Sequence, residues 1–258
     1  MERIAILGAG GMGTALALLF GKTRAHVALW CRTKERAETL LRERINQRYL
    51  PGVCIPESVA ITAEAPAVLD GASLVVTAVP SSFLRAVLEE LARQFSSPVP
   101  FLSVVKGIEN GTFLRPSQII VEIIGDRPVA VLSGPSHAEE IARGLPASVV
   151  VAGPSEVLNQ TIQRQLSHEA FRVYTNPDAI GVELAGALKN IVGIAAGICD
   201  GLGFGDNAKA ALLTRGLVEI TRLGVALDVS LGPRRARLAL ATYSITRNKK
   251  IFSSRKCP

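Results

Sequence analysis

Residues that make redox or metal chemistry are few in this chain, and they are scattered. The four cysteines, Cys31, Cys54, Cys199 and Cys257, show no CxxC spacing and no metal-ligand spacing with the three histidines. That pattern excludes a disulfide framework and a zinc ribbon, and it predicts reduced thiols in a cytoplasmic protein. No run of about 18 or more uncharged apolar residues occurs, so no membrane span is expected. The first apolar stretch, Ile4 to Leu7, runs straight into glycines without the basic region and cleavage site of a signal peptide. Internal repeats and low-complexity segments are lacking as well.

Acidic residues are missing from Gly232 to Pro258, where eight basic ones fall (Arg234, Arg235, Arg237, Arg247, Lys249, Lys250, Arg255 and Lys256). Without that stretch, 21 basic residues face 22 acidic ones, so the net charge of +7 belongs to the tail. The body carries no basic footprint, and a nucleic-acid partner is not expected.

What the chain has in quantity is apolar surface to bury. Its 258 residues are 48% hydrophobic, enough to offset the entropy of ordering one large domain or two modest ones. Apolar strands are predicted at Arg3–Leu7, His26–Cys31, Ser73–Val79, Phe101–Val105, Val129–Leu132 and Ser148–Ala152. Helices are predicted at Thr14–Gly21, Lys34–Arg48 and Ser82–Phe95, the last presenting Phe83, Val87, Leu88 and Leu91 on one face. Alternating strands and helices imply a doubly wound parallel sheet. After Asn176-Pro177-Asp178 the texture changes. Ala179–Cys199 is apolar almost all round, as a buried helix would be, and Lys209–Leu227 is a second helix. The boundary is set at 178, giving an α/β domain (1–178) and an all-helical domain (179–258).

The turn Gly8-Ala9-Gly10-Gly11-Met12-Gly13 closes the first strand and opens a helix. Gly8 permits the tight exit, Gly10 lets the backbone approach a pyrophosphate, and Gly13 lets the helix pack closely on the strand. The helix N-terminus then faces the phosphates with its free N–H groups. In that context GxGxxG marks a Rossmann-type dinucleotide site. The second strand ends Trp30-Cys31-Arg32-Thr33-Lys34 without the acidic residue that favours NAD. Arg32 is either a solvated loop residue or a group that stacks on adenine and pairs with a 2′-phosphate, so NADP use is open.

Three later segments carry polar groups at chemically telling places. Val105-Lys106-Gly107 puts a lysine directly after the fourth parallel strand, at the edge where ligands of open α/β folds bind. Ser133-Gly134-Pro135-Ser136-His137-Ala138 follows the next strand, and its apolar-strand context favours a His137 that is structural or supports a neighbouring group over a general base. Lys189, the basic residue of an otherwise apolar helix, needs a partner or a lowered pKa if buried. Either condition suits proton exchange with a substrate hydroxyl during hydride transfer; the alternative is a lysine snorkelling from the helix end.

These segments resemble the NAD(P)-dependent sn-glycerol-3-phosphate dehydrogenases of bacterial type. The likeness rests on GAGGMGTALA (Gly8 to Ala17), VKGIE (Val105 to Glu109), SGPSHAEE (Ser133 to Glu140) and the long block from Glu183 to Glu219. It implies interconversion of dihydroxyacetone phosphate and sn-glycerol 3-phosphate with NAD or NADP, supplying glycerol phosphate for phospholipids, in a cytoplasmic homodimer that needs no metal. Lys189 falls on the family's proton donor and acceptor, and Lys106 on a lysine shared by substrate and cofactor. Gly134 and Ser136 fall on substrate positions. Gly11, Met12, Arg32, Thr33 and Ala138 fall on cofactor contacts.

After residue 231 the pattern departs. A glycine-rich segment ending in Gly-Asp-Leu, whose aspartate serves the substrate site, is expected, but the chain reads Leu231-Gly232-Pro233-Arg234-Arg235-Ala236-Arg237. Further on, Thr246, Arg247 and Asn248 resemble the family's Ser-Arg-Asn segment, which binds substrate phosphate and, through the arginine, cofactor. The second domain is therefore expected to be shortened. A catalytically impaired dinucleotide-binding protein from a truncated or frame-altered gene is the alternative reading. A β-hydroxyacid or ketopantoate-type reductase shares the glycine turn and a helix lysine but fits VKGIE and SGPSHAEE less well.

Overall fold

The first strand, β1 (Arg3–Leu7), is buried at its last four positions, because helices cover both faces of the sheet it centres. The computed structural model describes residues 2–95 and 98–226. In chain order β1 leads to α1 (Gly11–Gly21), β2 (His26–Trp30) and α2 (Lys34–Glu43). A hairpin of β3 (Ile45–Asn46) and β4 (Leu50–Cys54) follows, then β5 (Val59–Thr62), α3 (Ala65–Leu69), β6 (Leu74–Thr77) and α4 (Ser81–Leu91). The sheet domain is completed by β7 (Phe101–Ser103), α5 (Pro116–Ile124), β8 (Val129–Ser133), α6 (Ala138–Ala142), β9 (Ala147–Ala152), α7 (Glu156–Leu166) and β10 (Phe171–Asn176). Two long helices, α8 (Ala179–Gly201) and α9 (Gly205–Ala226), come last.

The eight-stranded sheet runs β10-β9-β8-β7-β6-β1-β2-β5. From β5 to β8 this is the doubly wound order, whose direction of winding reverses between β1 and β6, and a crevice opens there. One face packs Ile4, Ile6, Leu29 and Val76 against Leu16 and Phe20 of α1. The other packs Leu7, Trp30, Val75 and Phe101 against Leu84, Leu88 and Ile120. Each such side chain taken fully from water contributes roughly 1.5–3 kcal/mol.

The structure corrects several expectations. The sheet is mixed, since β9 is antiparallel to β8. The edge strands β5 and β10 were not expected: β5 has four residues, and both alternate buried with more exposed positions instead of reading as continuous apolar runs. Helix α1 begins at Gly11 rather than Thr14, because Gly10 is its N-cap and Thr14 N donates to the Gly10 carbonyl. The charged helix stops at Glu43 instead of Arg48. Arg44 turns left-handed there (φ 51°), and its guanidinium donates to the carbonyl of Val59 at 2.9 Å.

Helix α8 is not buried all round. Its start packs on β8 and β9, with Val182, Glu183, Leu184 and Ala185 buried, but Ile191, Ile194 and Ile198 face outward. By length and composition alone α8 is also apolar enough to cross a membrane. The predicted end of the second helix, Leu227, and the tail with Thr246, Arg247 and Asn248 lie outside the described residues.

Candidate active site

A cleft of about 690 Å³ opens over the glycine turn at the carboxyl edge of β1, β2 and β6. Its floor follows from the turn's geometry. Gly8 has φ +113°, and a Cβ there would stand 2.8 Å from the Ala78 carbonyl oxygen. A Cβ on Gly13 would lie 1.9 Å from Gly8 O, so α1 meets β1 with no room for a side chain. In front of Gly10 there is nothing within 4 Å. The N-terminus of α1 therefore faces open space, as an anion site at a helix start requires.

Asn46 braces this turn from the hairpin. Fully buried, it donates from Nδ2 to Thr14 Oγ1 at 2.8 Å and to Ala9 O at 3.1 Å, and its Oδ1 accepts from Arg36. Tyr49 follows; its carbonyl oxygen and the Ala138 methyl would lie 3.0 and 3.3 Å from a Cβ on Gly11. Gly11, Met12, Arg32 and Thr33 line the cleft. Thr33 also caps α2, accepting from Arg36 N at 3.3 Å. The Arg32 guanidinium lies 5.8 Å from the Phe83 ring centroid, while Arg36 and Arg48 stand over Tyr49. Cys31 beside them is a core thiol, pushed by burial up to about 11.

At the far end of the cleft stands Lys106, after the fifth parallel strand in chain order once β5 is counted. Its Nζ donates to Ser136 Oγ at 2.7 Å and to the Gly134 carbonyl at 3.2 Å. Ser136 is buried and donates in turn to Gly134 O at 3.1 Å. Gly134 has φ +142°, and a Cβ on it would press 2.9 Å from Val149 Cα, so glycine lets this loop cross over β9. Burial, and secondarily the charge of Lys189, pull the Lys106 pKa from 10.5 down to about 8. Helix α8 reaches the same corner: a Cβ on Gly186 would lie 2.6 Å from Ser133 Oγ and 4.0 Å from Lys106 Cγ. The structure thus brings Lys106, Gly134, Ser136 and Lys189 together beside the cleft, although Lys189 stands 83 positions from Lys106 in the chain.

His137, read from its context as structural or as a support for a neighbouring group, is not part of the core. It is exposed, at the start of α6, and its side chain makes no cap hydrogen bond. Sequence reasoning missed Asn46, Tyr49 and the role of Phe83. Phe83 was assigned to the buried face of α4, but Leu84, Val87, Leu88 and Leu91 form that face, and Phe83 projects into the cleft at 49% exposure. The signal was a spacing one residue out of step.

Comparison with known proteins agrees with this arrangement. Residues 3–159 match the NAD-dependent glycerol-3-phosphate dehydrogenase N-terminus, and residues 178–242 match the C-terminus of the same family. The chain is 50% identical over 233 residues to the glycerol-3-phosphate dehydrogenase [NAD(P)+] of Geobacillus kaustophilus, covering 89% of this chain and 68% of that protein. It is likewise 50% identical over 226 residues to the enzyme of that name from Moorella thermoacetica, covering 88% and 67%. A crystal structure of glycerol-3-phosphate dehydrogenase from Coxiella burnetii superposes with a TM-score of 0.85 at 36% identity, covering 96% of this chain and 76% of that one. These likenesses favour the dehydrogenase reading over an impaired binding protein and over the other reductases. The chain belongs to the NAD-dependent glycerol-3-phosphate dehydrogenase family, whose members are NAD(P)-dependent enzymes.

Proposed function

We propose that this chain interconverts dihydroxyacetone phosphate and sn-glycerol 3-phosphate in the corner between Lys106 and Lys189, with the dinucleotide lying over the glycine turn. The observation that carries the reading is the pair of ammonium groups brought to one desolvated corner at the end of the cleft. Two neighbouring cations repel each other, and an anionic substrate relieves that repulsion. The cradle before Gly10 and the arginines at the rim fit a dinucleotide with or without a 2′-phosphate. A bound nicotinamide exchanges the hydride at substrate C2.

The chain's own residues do the rest. Lys189 gives a proton to the C2 oxygen in reduction and takes it back in oxidation. Lys106, held by Ser136 and the Gly134 carbonyl, offsets the negative charge that develops on oxygen. Gly8, Gly10, Gly11 and Met12 border the pyrophosphate, Gly13 seats α1 behind them, Arg32 and Thr33 flank the adenosine end, and Ala138 closes the side near Gly11. By the resemblance, Thr246, Arg247 and Asn248 take the substrate phosphate, and Arg247 the cofactor. Residues 1–178 then form the dinucleotide domain and 179–258 the substrate domain.

The product is the backbone of glycerophospholipids, and a cytoplasmic homodimer supplying it is part of the same proposal. The test is oxidation of NAD(P)H by dihydroxyacetone phosphate. Lys189→Ala should lower turnover about 10²–10⁴-fold while NAD(P)H binding persists. Unchanged turnover refutes the role given to Lys189, and a single monomeric species in sedimentation refutes the dimer.

A further inference from the structure

The start of α8 holds a buried carboxylate that the reaction does not use. Glu183 is 6% exposed, and both its oxygens are engaged by the first turn of α5. Arg115 Nη1 donates to Oε2 at 2.6 Å, Ser117 Oγ to Oε2 at 2.6 Å and Ser117 N to Oε1 at 2.8 Å. The anion thus sits at a helix N-terminus, where free N–H groups and the dipole favour it. Glu183, Gly186 and Lys189 follow one another at three-residue steps, each beside the last on α8, so that the series winds about 120° around the helix from Glu183 to Lys189. Glu183 meets α5, Gly186 meets Ser133 and the stem of Lys106, and Lys189 meets the charge of Lys106.

Gly186 makes only a steric contact here, since the buried Ser133 hydroxyl has no hydrogen-bond partner. Close packing of a glycine limits how near α8 comes to the sheet but leaves rotation and sliding less constrained. A carboxylate gripped by three donors from one helix start fixes both. If stability alone were at stake, an apolar side chain of similar size would serve as well. The anchor lies six residues, about 9 Å of helix rise, before Lys189.

We propose that Glu183 is a positioning residue: by locking α8 to the first turn of α5, it sets the register that brings Lys189 to Lys106. This rests on the reading of Lys189 as the proton donor and acceptor. Glu183→Gln keeps the shape but puts an amide donor against Arg115 and Ser117, and Lys189→Ala is the companion variant. Three quantities are measured on each full chain: NAD(P)H affinity, kcat and KM with dihydroxyacetone phosphate, and the pH midpoint for acylation of Lys106 followed by mass spectrometry.

For Glu183→Gln, NAD(P)H affinity should stay within about twofold, because the part of the cleft away from Lys106 is built from the glycine turn, the end of β2, the hairpin and the start of α4. The kcat should fall at least about tenfold with a smaller change in KM. The Lys106 midpoint should move upward, in the direction that Lys189→Ala moves it. A Lys106 midpoint and kcat equal to those of the parent in Glu183→Gln, alongside a shifted midpoint in Lys189→Ala, overturn the positioning role. If instead Lys189→Ala leaves turnover unchanged, the reading of Lys189 falls and the Lys106 midpoint in Glu183→Gln still decides whether the anchor sets the register. Should Glu183→Gln not fold, Ser117→Ala removes the hydroxyl contact yet keeps Arg115 and the Ser117 N–H on Glu183, and it should shift the same quantities less. No shift there counts against the proposal.

Discussion

Two alanine substitutions three residues apart in the glycine turn should fail in different ways. At Gly13 the added Cβ would stand 1.9 Å from Gly8 O, when real Cβ contacts stay at 3.0 Å or beyond. Helix α1 would have to withdraw by about an ångström. Its residues from Gly13 to Phe20 are buried, so the shift propagates into a packed core and costs roughly 1–3 kcal/mol. For a chain of this size that lowers Tm by about 2–12 °C. It also draws the helix N–H groups away from the pyrophosphate, so NAD(P)H affinity falls as well. At Gly10 the backbone has φ −80° and ψ −174°, which alanine adopts freely, and nothing lies within 4 Å of the new methyl. Gly10→Ala should therefore keep Tm within about 2 °C. The methyl nevertheless occupies the space into which the phosphates must come, and affinity should drop roughly 10-fold or more, about 1.4 kcal/mol. Thermal unfolding and fluorescence titration with NAD(P)H separate the two effects. A Gly10→Ala protein that binds like the parent refutes the pyrophosphate approach. A Gly13→Ala protein with unchanged Tm refutes the packing argument.

Lys106, at about 8 in the folded protein against 10.5 ordinarily, should lose its ammonium as pH rises through 8, so KM for dihydroxyacetone phosphate should climb above that pH. Because the unfolded chain keeps that proton up to about 10.5, the penalty is complete below pH 8. Stability should then rise between pH 8 and 10.5 by at most about 3 kcal/mol; urea unfolding of Lys106→Met should show a flatter slope over that range, and an identical slope counts against the depressed pKa. Asn46→Ala strips the brace from Thr14 and Ala9 and leaves buried groups unpaired, so it should cost roughly 2–4 kcal/mol and weaken NAD(P)H binding, measured by the same titration. Arg32→Ala should raise KM for NADPH more than for NADH, and strict preference of the parent for NADH would sink that assignment.

The parts of this site that were legible in sequence are those whose meaning is local. The glycine turn was readable because Gly8 and Gly13 answer to atoms within a few residues or just past the adjacent strand, while Gly10 faces open space. Lys106 was readable as a residue at a strand end, though its ordinal place was wrong because β5, four residues long, went unnoticed. The hairpin with Asn46 and Tyr49 was hidden for a different reason. Helical spacing continues past Glu43, and the stop is made by Arg44 in a left-handed conformation, which an arginine does not advertise as a glycine would. Its guanidinium is held by backbone carbonyls around β5, so the helix ends for a tertiary reason.

The meeting of Lys106 with Lys189 depends still more on docking. Periodicity showed an apolar helix and predicted it buried, but that pattern cannot say which third of the helix touches the sheet. The answer lies in two residues that look out of place in an apolar run, a glycine at 186 and an acid at 183. Each is costly in isolation: glycine lowers helix propensity by about 1 kcal/mol, and a buried carboxylate demands donors. Both become favourable only against particular partners, Ser133 with Lys106 in one case and the first turn of α5 in the other. At 183 and 186, then, the residues that violate the local pattern of α8 mark where α5 and the sheet arrive. In this chain the two violations bracket the approach that puts Lys189 beside Lys106.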